Sequence, residues 1–148
     1  MTESDAVKII RAFIERTKFP KTCSSCGRRF NTFEEYLRNT IPRGDPVSYD
    51  AESGRWTPWS PIGTIALANC SCGTTLTISS KGMSLLTIWR LMWWARRETQ
   101  RRGIHTRELL AHIREEIHKQ ILGEDSDSRS ERTNAPDFAP RFPADRNT

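Results

Sequence analysis

The sequence predicts an α+β chain, a small sheet with a helix before it and a helical hairpin after it. Three observations predict it. Apolar residues recur at helical spacing near the N-terminus and again from residue 83 onward. Between them, "TTLTIS" alternates Thr75 and Thr77 against Leu76 and Ile78, the period of a half-buried strand. The middle of the chain is punctuated by two short turns ending in glycine, "CSSCG" and "CSCG".

Taken in order, "SDAVKIIRAFIERT" at 4–17 places Ala6, Val7, Ile10, Phe13 and Ile14 on one stripe, with Ser4 as the expected N-cap. Phe19-Pro20 ends that helix. In "NTFEEYLRNT" at 31–40, Thr32 and Glu35 have capping-box spacing, and Phe33, Tyr36 and Leu37 form a short apolar face. Residues 41–61 read as an ordered loop of turn-formers with a short strand at Val47 to Tyr49. Trp56 and Trp59 are its large anchors, lidding the core or forming a binding surface. Residues 62–78 read as strand, turn, strand. Residues 83–103 form a strong helix, with Ser84 as N-cap and Gly103 at its end. The second arm starts at Thr106 and runs to 122, with Leu109, Leu110, Ile113, Ile117 and Ile121 on its apolar face. The remainder, rich in Asp, Ser, Arg and Pro, is expected to be disordered. The expected organisation is an N-terminal helix (1–19), a four-cysteine domain (20–82), a helical hairpin (83–122) and a tail (123–148).

The chain has four cysteines, Cys23 and Cys26 as C-x2-C and Cys70 and Cys72 as C-x-C, each pair followed by glycine. Two close pairs suit a tetrahedral Zn2+ site, since each pair can reach one ion from a single turn. The following glycine permits the positive φ that such turns need. Met1 to Asp5 is polar and no apolar signal region follows, so a reducing, cytoplasmic setting is expected, where paired cysteines mean metal or redox chemistry. A catalytic zinc keeps a coordination position open, whereas four cysteines close the shell. The expected cofactor is therefore one structural Zn2+, with no catalytic residues and no enzymatic activity. His105, His112 and His118 lack ligand spacing to one another.

The stretch 20–79, carrying "CSSCG" at 23–27 and "CSCG" at 70–73, resembles a zinc ribbon or zinc knuckle. The second pair is one residue tighter than usual for a ribbon, and 43 residues separate the pairs. The resemblance implies a minimal sheet organised around the metal.

"LLTIWRLMWWARRETQRR" is apolar almost all round from Leu85 to Ala95, with Arg90 as the exception. It is too short to span a bilayer, which takes about 20 residues, so it must be covered by another helix or by a second copy. Residues 85–107 hold six arginines against the single acid Glu98, while 108–148 carry nine acids against six Lys and Arg. The expected interaction surface comprises Arg90, Trp93, Trp94, Arg96, Arg97, Arg101 and Arg102, with Ile113 and Ile117 on the second arm. The expected function is a non-enzymatic zinc-binding adaptor or regulatory protein, working by protein contact through the hairpin as a dimer. Two other readings stay open. One is a nucleic-acid-binding regulator using the arginine cluster 90–107. The other is a thiol/zinc redox sensor in which oxidation ejects the ion.

Overall fold

The computed structural model describes residues 1–48 and 63–130, with side chains to residue 123. Trp56, Trp59 and the tail from residue 131 lie outside the described residues.

Helix α1 spans Glu3–Thr17 and starts before the expected cap. Thr2, not Ser4, caps it. The Thr2 hydroxyl accepts from the Asp5 amide at 3.2 Å, and the Asp5 carboxylate accepts the Thr2 amide at 2.8 Å. This reciprocal pair satisfies two helix-end donors at once, which a lone Ser4 cap does not. A first hairpin follows, β1 (Lys21–Thr22) and β2 (Arg29–Phe30), paired antiparallel in the register Lys21↔Phe30 and Thr22↔Arg29. Helix α2 (Phe33–Asn39) is capped by Thr32, which accepts the Glu35 amide at 3.1 Å. The Glu35 carboxylate turns back to the Asn31 amide at 2.8 Å, one residue earlier than a capping box requires.

The second sheet is built on one strand. β5 (Thr64–Cys70) pairs antiparallel with β3 (Thr40–Pro42), β4 (Val47–Ser48) and β6 (Thr75–Ser79). Helix α3 spans Leu85–Arg102, with Ser84 accepting the Thr87 amide at 3.2 Å and Gly103 closing it at φ 66°. Helix α4 spans Thr106–Ser130 and so runs past the boundary expected at 122. A helix already docked through its first turns gains a backbone hydrogen bond with each further residue, so polar sequence suffices to extend it.

α4 is the central helix. It packs against α1, α2, α3 and β4, and Leu109, Ile113, Ile117 and Ile121 are buried along one stripe. Ile113 and Ile117, expected on an interaction surface, are thus core residues, because the sheet and the other helices claim this face first. Around them lie Val7 of α1, Phe33 and Tyr36 of α2, Phe30, and Ala68, Leu76 and Ile78 of the sheet. Phe19, Phe30, Phe33 and Tyr36 form an aromatic cluster with ring centroids 5.5–5.6 Å apart. Arg114 of α4 donates to the Gly44 carbonyl at 2.6 Å and clamps the turn between β3 and β4. α3 is different, since none of its residues is buried and its main neighbour is α4.

Charged side chains fasten the far end of α3. Arg102 pairs with both Glu3 and Glu98, and Glu3 also meets His112 Nε2 at 2.8 Å. The network ties α1, α3 and α4 together. Arg101 first, then Arg102, hold the Glu98 carboxyl down to about 2, from an ordinary 4.5.

Two outcomes follow from this packing. Because folding depresses the Glu98 pKa, its contribution is complete above pH 4.5 and is lost as pH falls toward 2; acid denaturation followed by circular dichroism is expected to flatten over that window in Glu98→Gln. Leu109, with no exposure, is expected on truncation to alanine to cost about 3 kcal/mol in urea denaturation.

Candidate metal centre

Each cysteine pair sits in the turn of a hairpin. In the first, the Cys23 amide donates to the Arg28 carbonyl at 2.8 Å and the Gly27 amide to the Cys23 carbonyl at 2.9 Å. In the second, the Cys70 amide donates to the Thr74 carbonyl and the Gly73 amide to the Cys70 carbonyl, both at 2.8 Å. Gly27 and Gly73 take φ of 74° and 90°, a region open to glycine without strain. Thr40 pairs with Cys70 in the sheet register, so the end of α2 lies beside the second turn.

The two turns face each other, and the four Sγ atoms all lie within 4.8 Å of one another. The pairs interleave across the turns, with Cys23 Sγ 3.6 Å from Cys72 Sγ and Cys26 Sγ 3.7 Å from Cys70 Sγ. All four are free thiols. Tetrahedral zinc with Zn–S bonds of about 2.3 Å places its sulfurs about 3.8 Å apart, so the residues present fit such an ion. A four-sulfur tetrahedron also suits iron. Cys23 and Cys70 are buried and belong to the same apolar cluster as Phe30 and Leu76, while Cys26 and Cys72 face outward. The candidate metal position is therefore an extension of the core.

Local dipoles are aimed at the sulfurs. Backbone N–H groups of Cys26 and Ser25 lower the Cys23 pKa. Cys72 is brought down to about 6, first by the Thr74 side chain and then by its backbone N–H. Thr74 Oγ1 lies 3.3 Å from Cys72 Sγ, a contact in which the hydroxyl donates once the sulfur is a thiolate. Cys26 feels the lowering effect of the Arg28 backbone, but desolvation and the neighbouring thiols outweigh it and push it up to about 11. Four adjacent thiolates repel one another, and a bound cation reverses that balance.

Sequence reasoning missed the residues that brace the site. Arg28 donates to Asn39 Oδ1 at 2.7 Å and lies 3.5 Å from Ser71 Oγ, linking both turns to α2. Its guanidinium also stacks over Phe30, 5.5 Å from the ring centroid. Thr74, directly after the second glycine, was findable from its place beside the ligands; the reach of Arg28 to Asn39 and Ser71 has no sequence signal.

The expected interaction residues divide. Arg90, Arg96 and Arg97 are exposed on α3, and Trp93 keeps 56% of its surface in solvent. Trp94 turns inward and packs against the core. Arg101 and Arg102 are engaged by Glu98. Between α3, α4, α1 and the sheet lies an apolar cavity of about 790 Å³, with Trp89 and Trp93 also on its lining. Among the described residues no helix is long and apolar enough to cross a membrane.

Native mass spectrometry of the reduced chain is expected to show one metal ion per chain, and Cys23→Ser or Cys70→Ser to abolish it together with the strand signal in circular dichroism. Acid is expected to release the ion, because thiolate ligands are lost on protonation; retention through strong acid would contradict thiolate ligation. No family model, curated protein or solved structure matches the chain.

Proposed function

We propose that the four cysteines hold one structural Zn2+ and that the chain is a non-enzymatic adaptor or regulatory protein, working through protein contacts of the α3–α4 hairpin. The observation that carries this reading is the apolar cavity of about 790 Å³ between the hairpin and the metal-braced sheet. Phe13 and Ile14 of α1, Leu37 of α2, Met92 of α3 and Leu110 of α4 line it. Apolar side chains of an inserted helix are the natural complement of such a groove, and a second copy of the chain is one source of them. The zinc fits this role because it fixes the sheet that forms the groove floor, in a segment too small to build that rigidity from apolar contacts alone.

The exposure of Cys26 and Cys72 favours a second reading, a thiol/zinc redox sensor. Hydrogen peroxide would take two electrons from a pair of thiolates and two protons from solvent, forming one disulfide and two waters and releasing the ion.

The adaptor reading is tested by sedimentation equilibrium of the metal-loaded chain. A concentration-dependent dimer is expected, weakened at least about tenfold by Met92→Asp, the equivalent of about 1.4 kcal/mol. A monomer at high concentration, with no protein retained on an affinity column of the chain, would refute it. For the redox reading, mild peroxide is expected to release the zinc and a thiol reductant to restore it; unchanged metal content would rule it out.

A further inference from the structure

One face of α3 combines two features and runs from the cavity rim, where Trp89, Trp93 and Arg96 lie, out into solvent. Leu85, Leu86, Trp89 and Trp93 follow one another at steps of one, three and four residues and share one side of the helix. They remain 52%, 67%, 53% and 56% exposed. The same side carries Arg90, Arg96 and Arg97, all exposed and without an ion pair among the described residues. The helix's one acid, Glu98, is turned inward, its side chain 14% exposed and engaged by Arg101 and Arg102. At the N-terminal end of the helix, Lys18 Nζ donates to the Lys81 carbonyl at 2.7 Å, so basic groups flank the apolar stretch there too.

We propose that this face docks on the surface of an anionic lipid bilayer, with α3 lying in the plane of the headgroups. Leucine and tryptophan on one half of a helix, bordered by arginine, match the layered chemistry of that interface. Apolar groups reach the acyl boundary while the guanidinium groups meet lipid phosphates. A helix too short to cross a membrane can bind in this orientation. Charge complementarity decides against a second copy on this face, since two such surfaces would bring arginine against arginine. Single-stranded nucleic acid is less well matched. The two indoles stack on each other, centroids 6.2 Å apart and 22° between planes, rather than standing apart to receive bases. Phosphates also give no use to Leu85 and Leu86, whose exposure is among the largest of the apolar side chains.

The test is co-sedimentation of the full metal-loaded chain with vesicles of phosphatidylcholine alone, and of phosphatidylcholine and phosphatidylglycerol in equal parts. Binding to the mixed vesicles is expected, weakened by salt and at least about tenfold weaker on phosphatidylcholine alone. Replacing Arg90, Arg96 and Arg97 by Gln is expected to weaken it about fivefold per residue, and Leu86→Glu with Trp93→Glu to abolish it. All five side chains are exposed, and unchanged circular dichroism verifies that the variants fold. Met92→Asp, which targets the cavity, is expected to leave vesicle binding intact, so this proposal and the adaptor reading can fail separately. The proposal is overturned by absent binding to mixed vesicles, by equal binding to phosphatidylcholine alone, or by binding that survives the Leu86 and Trp93 substitutions. Tighter binding to a single-stranded oligonucleotide at the same ionic strength would also overturn it, assigning the arginines to nucleic acid.

Discussion

Two turns far apart in the chain meet at four sulfurs, and the rest of the structure depends on that meeting. Cys23 and Cys26 arrive on one hairpin, Cys70 and Cys72 on another, and the close contacts run between hairpins. With two-residue strands, the first hairpin has little hydrogen bonding of its own, and isolated hairpins of that size are marginal in water. Its stability comes from Phe30 and Cys23 entering the common core, and a cation held by the four sulfurs would bridge the turns. Arg28 reinforces the same junction by reaching Ser71 and Asn39. The position of α2, and hence of β3, follows from it.

The core and the periphery are assembled by different forces. α4 presents one apolar stripe to the sheet and to α1 and α2, so burial alone orients it. α3 has apolar residues on several sides but, among the described residues, no partner that encloses it. It is held by contacts with α4 and by the Glu98–Arg102–Glu3 network at its far end. Electrostatic fastening of this kind leaves the apolar sides of α3 available, one toward the cavity and one toward solvent.

That division gives the two proposed activities separate physical bases. The cavity asks for apolar side chains delivered from outside, as a helix can deliver them. The outer face asks for a surface that is apolar at depth and anionic at its boundary. A scaffold that presents both, braced by the proposed zinc, could join a protein partner to a lipid surface, and neither proposed activity needs a reacting group.

By itself the sequence determined what is local. The stripe of α1, the alternation of β6, the Ser84 and Gly103 ends of α3, and the two close cysteine pairs were legible, because each depends on residues within a few positions of one another. Ser4 is not the cap, because the reciprocal Thr2–Asp5 pair starts the helix two residues earlier. Only the tertiary structure decided which apolar face was covered. Ile113 and Ile117 and the leucine–tryptophan face of α3 look alike as sequence, since both repeat at helical spacing. One meets the sheet and is buried; the other, among the described residues, is left more than half exposed at the cavity rim. Periodicity states that a face is apolar, but burial depends on what the rest of the chain brings to it, and that is fixed only when the two cysteine turns close.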